Sequence, residues 1–436
     1  MPGYRPPRSM LPNVRPRTHH AIAVLAVLLS LVFARSMHAE PTRTSDPFIE
    51  VDAVVAQGDL ARADRMLRVL AEREQYRLRA IQTLENLHRS PGFELRADEV
   101  EIAKALDTVQ TRMHRYETGH FVTLSDCDAS WTREKSALLE RAYHQFFRWV
   151  DQIGLDLLPP ERKLLCIIFH DYEQYRSFAQ RVDNVDAPWA GGYFATRANR
   201  VVLFDDRDSP AIVEAMSKLA EHEAKVAETR ERARQTARNG MQSMSDSLNA
   251  GADRLEAEVR TNKERIRSHA ERMSTAKTIH ESVHMLSYNT GLQQQGRIYP
   301  FWISEGMATA FETGDPAQPF GPREPYQARE DSFNRVRDEG RLIPLEKVVT
   351  VAAGIAGADE LGDPVYAQSY LLFVYLSRTA PDAMKRYLCE LNRLPSGYYT
   401  PEYHLTLFEN HFGRVDAVER AMLRSRAVST RSASTE

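Results

Sequence analysis

The stretch TIHESVHML, residues 278–286, holds His280, Glu281 and His284 in the order His-Glu-x-x-His. Residues four apart lie on one face of a helix, so His280 and His284 can direct both imidazoles to one point while Glu281 lies on a neighbouring side. Such a pair is typical of a zinc site, and a glutamate beside it is typical of a general base. We therefore predict a helix that carries part of a metal centre.

A third ligand is predicted in PFWISEGMATAFE, residues 300–312, where Glu305 lies near the start of a second helical pattern. Catalytic zinc sites usually combine three protein ligands with a position for water. The turn-prone residues 288–300 are long enough to bring this second helix against the first. We predict that His280, His284 and Glu305 bind one Zn²⁺ per chain. In the alternative without metal, the histidines are ordinary helix-surface side chains and Glu305 is a carboxylate favoured near a helix N-terminus.

HESVH followed by WISEGMATAFE resembles the gluzincin, or thermolysin-like, zinc metallopeptidases, and most closely secreted bacterial gluzincin-like domains of unknown function. The resemblance extends over about residues 119–425 and is specific only at 278–313. It implies an α+β fold: a thermolysin-like zincin catalytic domain with a mixed sheet and zinc-binding helices. The Gly-Ala-Met-Glu-Asn signature that anchors the substrate amine in the aminopeptidases of that family is absent, which argues against exopeptidase activity.

The predicted chemistry is the hydrolysis of a peptide bond by a zinc-activated water, with Glu281 as general base. The resemblance also implies a donor to the oxyanion, for which DPVYAQSYLLFVYL offers Tyr366 first and Tyr370 second. Both tyrosines also sit at core-like helical spacing, so packing is the competing role. Thr309 and Glu312 are candidates for orienting the histidines.

Two other functions remain open from the sequence. One is a noncatalytic surface or periplasmic interaction protein that contains zinc. A site that only stabilises a fold usually has a fourth Cys or His ligand and no use for Glu281. The other is a zinc hydrolase that acts on a non-peptide carbonyl substrate.

The N-terminal residues predict export. The apolar run AIAVLAVLLSLVFA, residues 21–34, follows four arginines and no acidic residue, as in a signal peptide. We predict a secreted or periplasmic protein, or one anchored in the membrane if the segment is not cleaved.

A net charge of −3 gives no bulk basicity for binding nucleic acid. Three cysteines exclude a dense disulfide framework: Cys166 lies in an apolar strand pattern, so at most Cys127 and Cys389 could pair.

The organisation of the chain is predicted from changes in composition and periodicity. Residues 205–287 contain no aromatic residue, and residues 252–280 contain neither Pro nor Gly, which favours one helix that runs from a polar arm into the metal site. Asn239-Gly240 is the predicted turn of that arm. The predicted segments are a signal peptide or anchor (1–39), a helical N-terminal region (40–118), the first part of the catalytic domain with strands and a hairpin (119–208), a helical-hairpin or coiled-coil insertion (209–275), the zinc-binding and C-terminal helical part (276–428) and a disordered tail (429–436).

Overall fold

The computed structural model describes residues 46–185, 191–353 and 362–433, the last with side chains to residue 425. The predicted signal peptide lies outside this range. The chain divides into two compact units between Gly58 and Asp59. In the first unit, helix α1 (Pro47–Ala56) begins after Asp46, whose carboxylate accepts a hydrogen bond from the Phe48 amide. All other elements belong to the second unit.

The described part of the second unit is mostly helical, with one small sheet. Before the arm, its helices are α2 (Leu60–Ala71), α3 (Glu74–His88), α4 (Glu99–Thr108), α5 (Ala129–Ile153) and α6 (Tyr172–Asp183). The arm and the helix that enters the predicted site are α7 (Pro210–Arg238) and α8 (Gln242–Asn289). The remainder are α9 (Phe301–Phe311), α10 (Gln327–Asp338), α11 (Leu345–Thr350), α12 (Asp363–Thr379), α13 (Pro381–Leu391), α14 (Pro401–Phe412) and α15 (Val415–Ala433).

The sheet is mixed. Its strands are β1 (His114–Glu117), β2 (Phe121–Ser125), β3 (Leu164–Phe169), β4 (Gly192–Ala195) and β5 (Arg200–Phe204), in the spatial order β1-β2-β3-β5-β4. Strands β2, β3 and β5 are parallel, and the outer strands β1 and β4 are antiparallel to their neighbours. The fold class is therefore α+β, as predicted.

Strand β3 explains why its sequence is a continuous apolar run. Leu165, Ile167 and Phe169 pack in a cluster with side chains of α4 and α6, whereas Cys166 and Ile168 pack in the main core with α5, α8 and α9. Successive side chains of a strand point to opposite faces, so a strand covered on both faces must be apolar at every position. The predicted burial of Cys166 is confirmed.

The predicted hairpin across residues 197–199 is confirmed by the antiparallel pair β4–β5. Its strand β4 forms one edge of the sheet. The other edge differs from the prediction, because β1 begins at His114, inside the segment predicted to be only helical. Its sequence HRYE is charged and mostly exposed, so it lacks the apolar alternation by which a strand is recognised.

The arm is a helical hairpin with the predicted turn at Asn239-Gly240, where Gly240 has φ +79°. Helix α8 is continuous over 48 residues, which confirms that one helix runs from the arm to the His-Glu-x-x-His motif. Small and branched side chains such as Val226, Ala252 and Val259 are buried along the hairpin. Exposed ion pairs such as Lys263 with Glu223 cross it.

Helix α9 packs closely against α12. Gly306 makes this possible, because a Cβ at this position would lie 2.6 Å from the Ser369 carbonyl oxygen. Helix α15 extends to Ala433, so residues 429–433 are helical and not a disordered tail, and residues 434–436 lie outside the described range. No helix in the described ranges is long and apolar enough to cross a membrane.

Candidate metal centre

Helices α8 and α9 bring the three predicted ligands together. Nε2 of His280 lies 3.2 Å from Nε2 of His284 and 3.2 Å from Oε2 of Glu305, and Nε2 of His284 lies 3.4 Å from Oε1 of Glu305. One ligand atom from each residue lies within 4.8 Å of the others. Two imidazole nitrogens and a carboxylate oxygen at one point form a donor set that suits Zn²⁺. The residues therefore fit the metal that the sequence predicts.

The cluster lies in a cleft of about 980 Å³. The side chains of His280, His284 and Glu305 keep 13%, 12% and 20% of their accessible surface, so the cluster is largely buried but open on one side. Strand β4 and the base of the arm contribute walls of the cleft, among them Gly192 and His269. The cleft is large enough for a peptide segment.

Glu312 orients His280. Its Oε1 lies 2.9 Å from Nδ1 of His280, which leaves Nε2 of the same ring directed toward Glu305. Arg329 donates to both oxygens of Glu312 at 2.6 and 2.5 Å. Such a carboxylate partner fixes the tautomer and the orientation of a metal-binding histidine. Of the two predicted candidates, Thr309 instead donates its hydroxyl to the Glu305 carbonyl within its own helix.

Charge and burial act against each other at this cluster. Burial by itself would lower the pKa of His280, but its hydrogen bonds to Glu305 and Glu312 raise that pKa to about 10. Burial would raise the pKa of Glu305, yet electrostatic attraction to His284 and the hydrogen bonds of both histidines hold that pKa well below its usual value. The pKa of Glu312 is likewise lowered against burial by Arg329 and His280. Both carboxylates are thus held ionised, as metal binding and histidine orientation require.

Glu281 lines the cleft one position after His280, and burial raises the pKa of its carboxyl group. One turn earlier, Lys277 forms an ion pair of 2.7 Å with Asp206 and donates to the Phe204 carbonyl at the end of β5. These contacts fix this turn of α8 against the sheet. Across the cleft, a Cβ on Gly192 would lie 3.4 Å from Cγ of Glu281, so β4 approaches the glutamate closely.

The two predicted tyrosines differ in position. Tyr366 lines the cleft and packs edge-on against Phe301 at 4.8 Å. Tyr370 is buried, and its hydroxyl accepts a hydrogen bond from the Tyr326 amide, so it belongs to the core. Sequence reasoning missed Tyr288, which also lines the cleft one helical turn after His284. The sequence did contain an indication of it, because Tyr288 lies four residues after the predicted ligand His284 and therefore on the same face of the helix.

A second group of possible ligands, Cys127, His170 and Asp205, follows the carboxyl ends of β2, β3 and β5. Arg207 already donates to both oxygens of Asp205. Burial raises the pKa of Cys127 to about 12, so this thiol stays protonated. This group is therefore less suited to a cation than the histidine cluster.

The pairing of Cys127 with Cys389 does not form, because both thiols are free and Cys389 is exposed whereas Cys127 is buried.

Residues 273–395 match the model of a family described as a protein of unknown function (DUF1570). The matched region begins just before the His-Glu-x-x-His motif and extends through α13, so it contains all three predicted ligands. No curated protein and no solved structure was found to match the chain.

Proposed function

We propose that the protein is a secreted or periplasmic zinc metallopeptidase of the gluzincin type, with a thermolysin-like catalytic domain. The observation that carries the proposal is the convergence of His280, His284 and Glu305 in an open cleft, with Glu281 on the adjacent position of the same helix. A zinc site that only stabilises a fold would have no use for a buried glutamate beside its ligands.

His280, His284 and Glu305 would hold the zinc, which when bound polarises a substrate carbonyl and lowers the pKa of its water toward about 7. Glu281 takes the proton of the attacking water and then gives it to the amine that leaves. Glu312 and Arg329 keep the His280 ring in place throughout.

An oxyanion also needs a donor from the protein. Among the cleft tyrosines, Tyr299 already uses its hydroxyl, which accepts from the Gln294 amide and donates to Asn392. Tyr366 is the donor expected from the family resemblance, and Tyr288 is the alternative on α8. Replacement of each by Phe distinguishes them, because only loss of the donor should reduce kcat without loss of zinc.

Strand β4 supports a peptide as the substrate. It is an edge strand of the sheet, and residues 191–194 line the cleft. The outer side of an edge strand carries backbone donors and acceptors to which an extended peptide can add as a further strand. Gly192 lies beside Glu281, so a peptide bound along β4 would pass the proposed base.

The test compares the wild type with two variants. We expect about one zinc per wild-type chain by metal analysis and loss of zinc in the His280→Ala, Glu305→Ala double variant. We expect Glu281→Gln to keep its zinc and lose hydrolysis of a quenched peptide library. Equal zinc in wild type and double variant would refute the metal centre. Unchanged turnover in Glu281→Gln would refute the mechanism, and a wild type that holds zinc but cleaves no peptide would favour a noncatalytic protein or another carbonyl substrate.

A further inference from the structure

We propose that Arg297 binds a carboxylate group of the substrate and so makes the cleft specific for anionic peptides. The inference deepens the proposed function and rests on it. Arg297 lies in the connection between α8 and α9, thirteen residues after His284, and it lines the same cleft as the metal cluster. The sequence motifs give no indication of this role.

The guanidinium of Arg297 lacks an acidic partner. No carboxylate of the described residues lies within 4.0 Å of it, and its one side-chain hydrogen bond runs from Nε to Oε1 of Gln294 at 2.6 Å. Its Nη1 is buried and has no hydrogen-bond partner. A buried, unpaired charged donor is costly, and a planar guanidinium matches a carboxylate with two parallel hydrogen bonds. A substrate carboxylate would satisfy the group.

The connection that carries Arg297 is held in place before any substrate binds. The amide of Gln294 donates to the Tyr299 hydroxyl, which in turn donates to Asn392 at 2.6 Å. Asn392 donates back to the carbonyls of Gly291 and Leu292. These contacts fix both sides of the turn. A fixed arginine loses little conformational entropy on binding, which is what a specificity residue requires.

The other charges of the cleft agree with an anionic ligand. Glu305 contacts the histidines, Glu312 pairs with Arg329, and Asp206 pairs with Lys277. In contrast, the cleft-lining Arg272 and Arg335 form no ion pair within the described part of the chain. Of the four cleft-lining acids, only Glu281, the proposed base, forms no ion pair within the described residues, whereas three of the arginines form none. Such a surplus of positive charge attracts an anionic substrate and repels a cationic one.

A peptide can supply the carboxylate from an Asp or Glu side chain or from its C-terminus. The test uses three sets of hexapeptides with fluorescein at the amino end and no acidic residue at their randomised positions. One set ends in a free carboxylate, one in an amide, and one in an amide with a single Glu at a fixed internal position. Their dissociation constants are measured by fluorescence anisotropy with the zinc-loaded full chain that carries Glu281→Gln.

We expect one of the two carboxylate sets to bind at least tenfold more tightly than the neutral amide set, and the set that does so identifies the source of the carboxylate. Arg297→Gln in the same background should reduce that ratio to about one. Arg297→Lys should keep part of it, because the charge remains but the two-pronged geometry is lost. Arg386→Gln, which removes an exposed arginine of α13 outside the cleft, should leave the ratio unchanged.

Equal affinities for the three sets, no measurable binding of any set, or a ratio that survives Arg297→Gln would overturn the inference. Zinc content of each variant shows whether it is folded at the site. The readout is binding by a protein that cannot cleave, so it is independent of turnover. If the wild type cleaves no peptide but the binding preference depends on Arg297, the proposed hydrolysis fails while the carboxylate site stands.

Discussion

At the scale of single residues, Glu312 determines how His280 faces the proposed zinc. Glu312→Ala removes the acceptor for Nδ1 of His280 and leaves Arg329 without its partner, so the ring can rotate. We expect zinc affinity to fall by about 10- to 100-fold, the usual effect of losing such a carboxylate. Competition with a chromophoric chelator measures the change.

Thr309→Val is the matched control for that substitution. Among the described residues, the Thr309 hydroxyl donates only to carbonyls of its own helix, and Val has nearly the same shape. Its zinc affinity should stay within about threefold of the wild type. A Thr309 variant that loses as much zinc as the Glu312 variant would show that the histidines are oriented in another way.

His404 predicts a pH dependence of stability. Its ring is fully buried, neither nitrogen has a hydrogen-bond partner in the described structure, and burial lowers its pKa to about 4. The unfolded chain has a His pKa of about 6.5, so it takes up the proton first as the pH falls. This group therefore contributes no penalty above about pH 6.5 and destabilises the fold progressively between about pH 6.5 and 4.

The variant His404→Phe should remove this dependence while keeping the ring stack on Tyr399, whose centroid lies 4.0 Å away. Relative to the wild type, its free energy of unfolding should rise by about 1 to 2 kcal/mol more at pH 5 than at pH 7.5. Urea unfolding at the two pH values measures this difference. An equal shift at both values would contradict the assignment of a neutral buried His404.

The site residues divide into those with a local sequence signal and those without one. His280, Glu281, His284 and Glu305 were predicted because helical spacing and a known ligand chemistry coincide in two short segments. Glu312 and Thr309 were both named, and only the geometry separates them, since a side chain's partner depends on its direction from the helix. Arg329 and Arg297 reach the cleft through tertiary packing, which no local pattern encodes.

At the scale of elements, two helical glycines have opposite roles. A Cβ on Gly251, in the arm part of α8, would meet no atom within 4 Å, whereas a Cβ on Gly306 would lie 2.6 Å from the Ser369 carbonyl. Gly251→Ala should slow hydrogen exchange in the arm, because Ala favours the helical conformation over Gly by about 0.5 to 1 kcal/mol. Gly306→Ala should lower the free energy of unfolding by about 1 to 3 kcal/mol.

Hydrogen exchange and urea unfolding of the two variants check this pair. Because a Cβ on Gly251 would meet no atom within 4 Å, its effect should be confined to amides of α7 and α8. If Gly306→Ala proved as stable as the wild type, α9 and α12 would be able to move apart without loss of stability, and the close packing would not be required.

The elements predicted best have either a continuous apolar run or a long stretch without Pro and Gly, the residues that interrupt helices. Strand β3 is apolar at every position, and α8 has no Pro or Gly from Ala252 to the motif. Strand β1 was missed, because its HRYE sequence is stabilised by pairing with β2 and by surface charges and not by a buried face. Backbone pairing with the next strand along the chain produces no recognisable pattern in a short polar segment.

At the scale of the whole molecule, the arm is predicted to be separable from the proposed catalytic part. Replacing residues 213–268 with a short Gly/Ser linker removes exposed helix and keeps Glu271, which contacts Lys135 and Trp131 at the arm's base. We expect the shortened chain to stay folded and to hold about one zinc. Its activity should change more on a folded protein than on a short peptide, since the arm rises from the cleft wall at His269.

Circular dichroism, metal analysis and parallel assays on the two substrates measure these effects. A chain that unfolds on deletion would show that the arm stabilises the catalytic part. Equal changes on both substrates would exclude a role of the arm in admitting large ones.

The unbroken α8 also fixes an angular relation between the arm and the predicted metal ligands His280 and His284. Each residue of an α-helix advances about 100° around the axis. One residue inserted between Ala270 and His280 would therefore rotate the imidazoles by that angle relative to the arm. The contacts of Lys277 with the end of β5 would oppose this rotation. Insertions near Gly240 turn only the tip. The arm can thus change length at its far end without rotating the histidines. The orientation of its base about the helix axis, in contrast, is fixed relative to them.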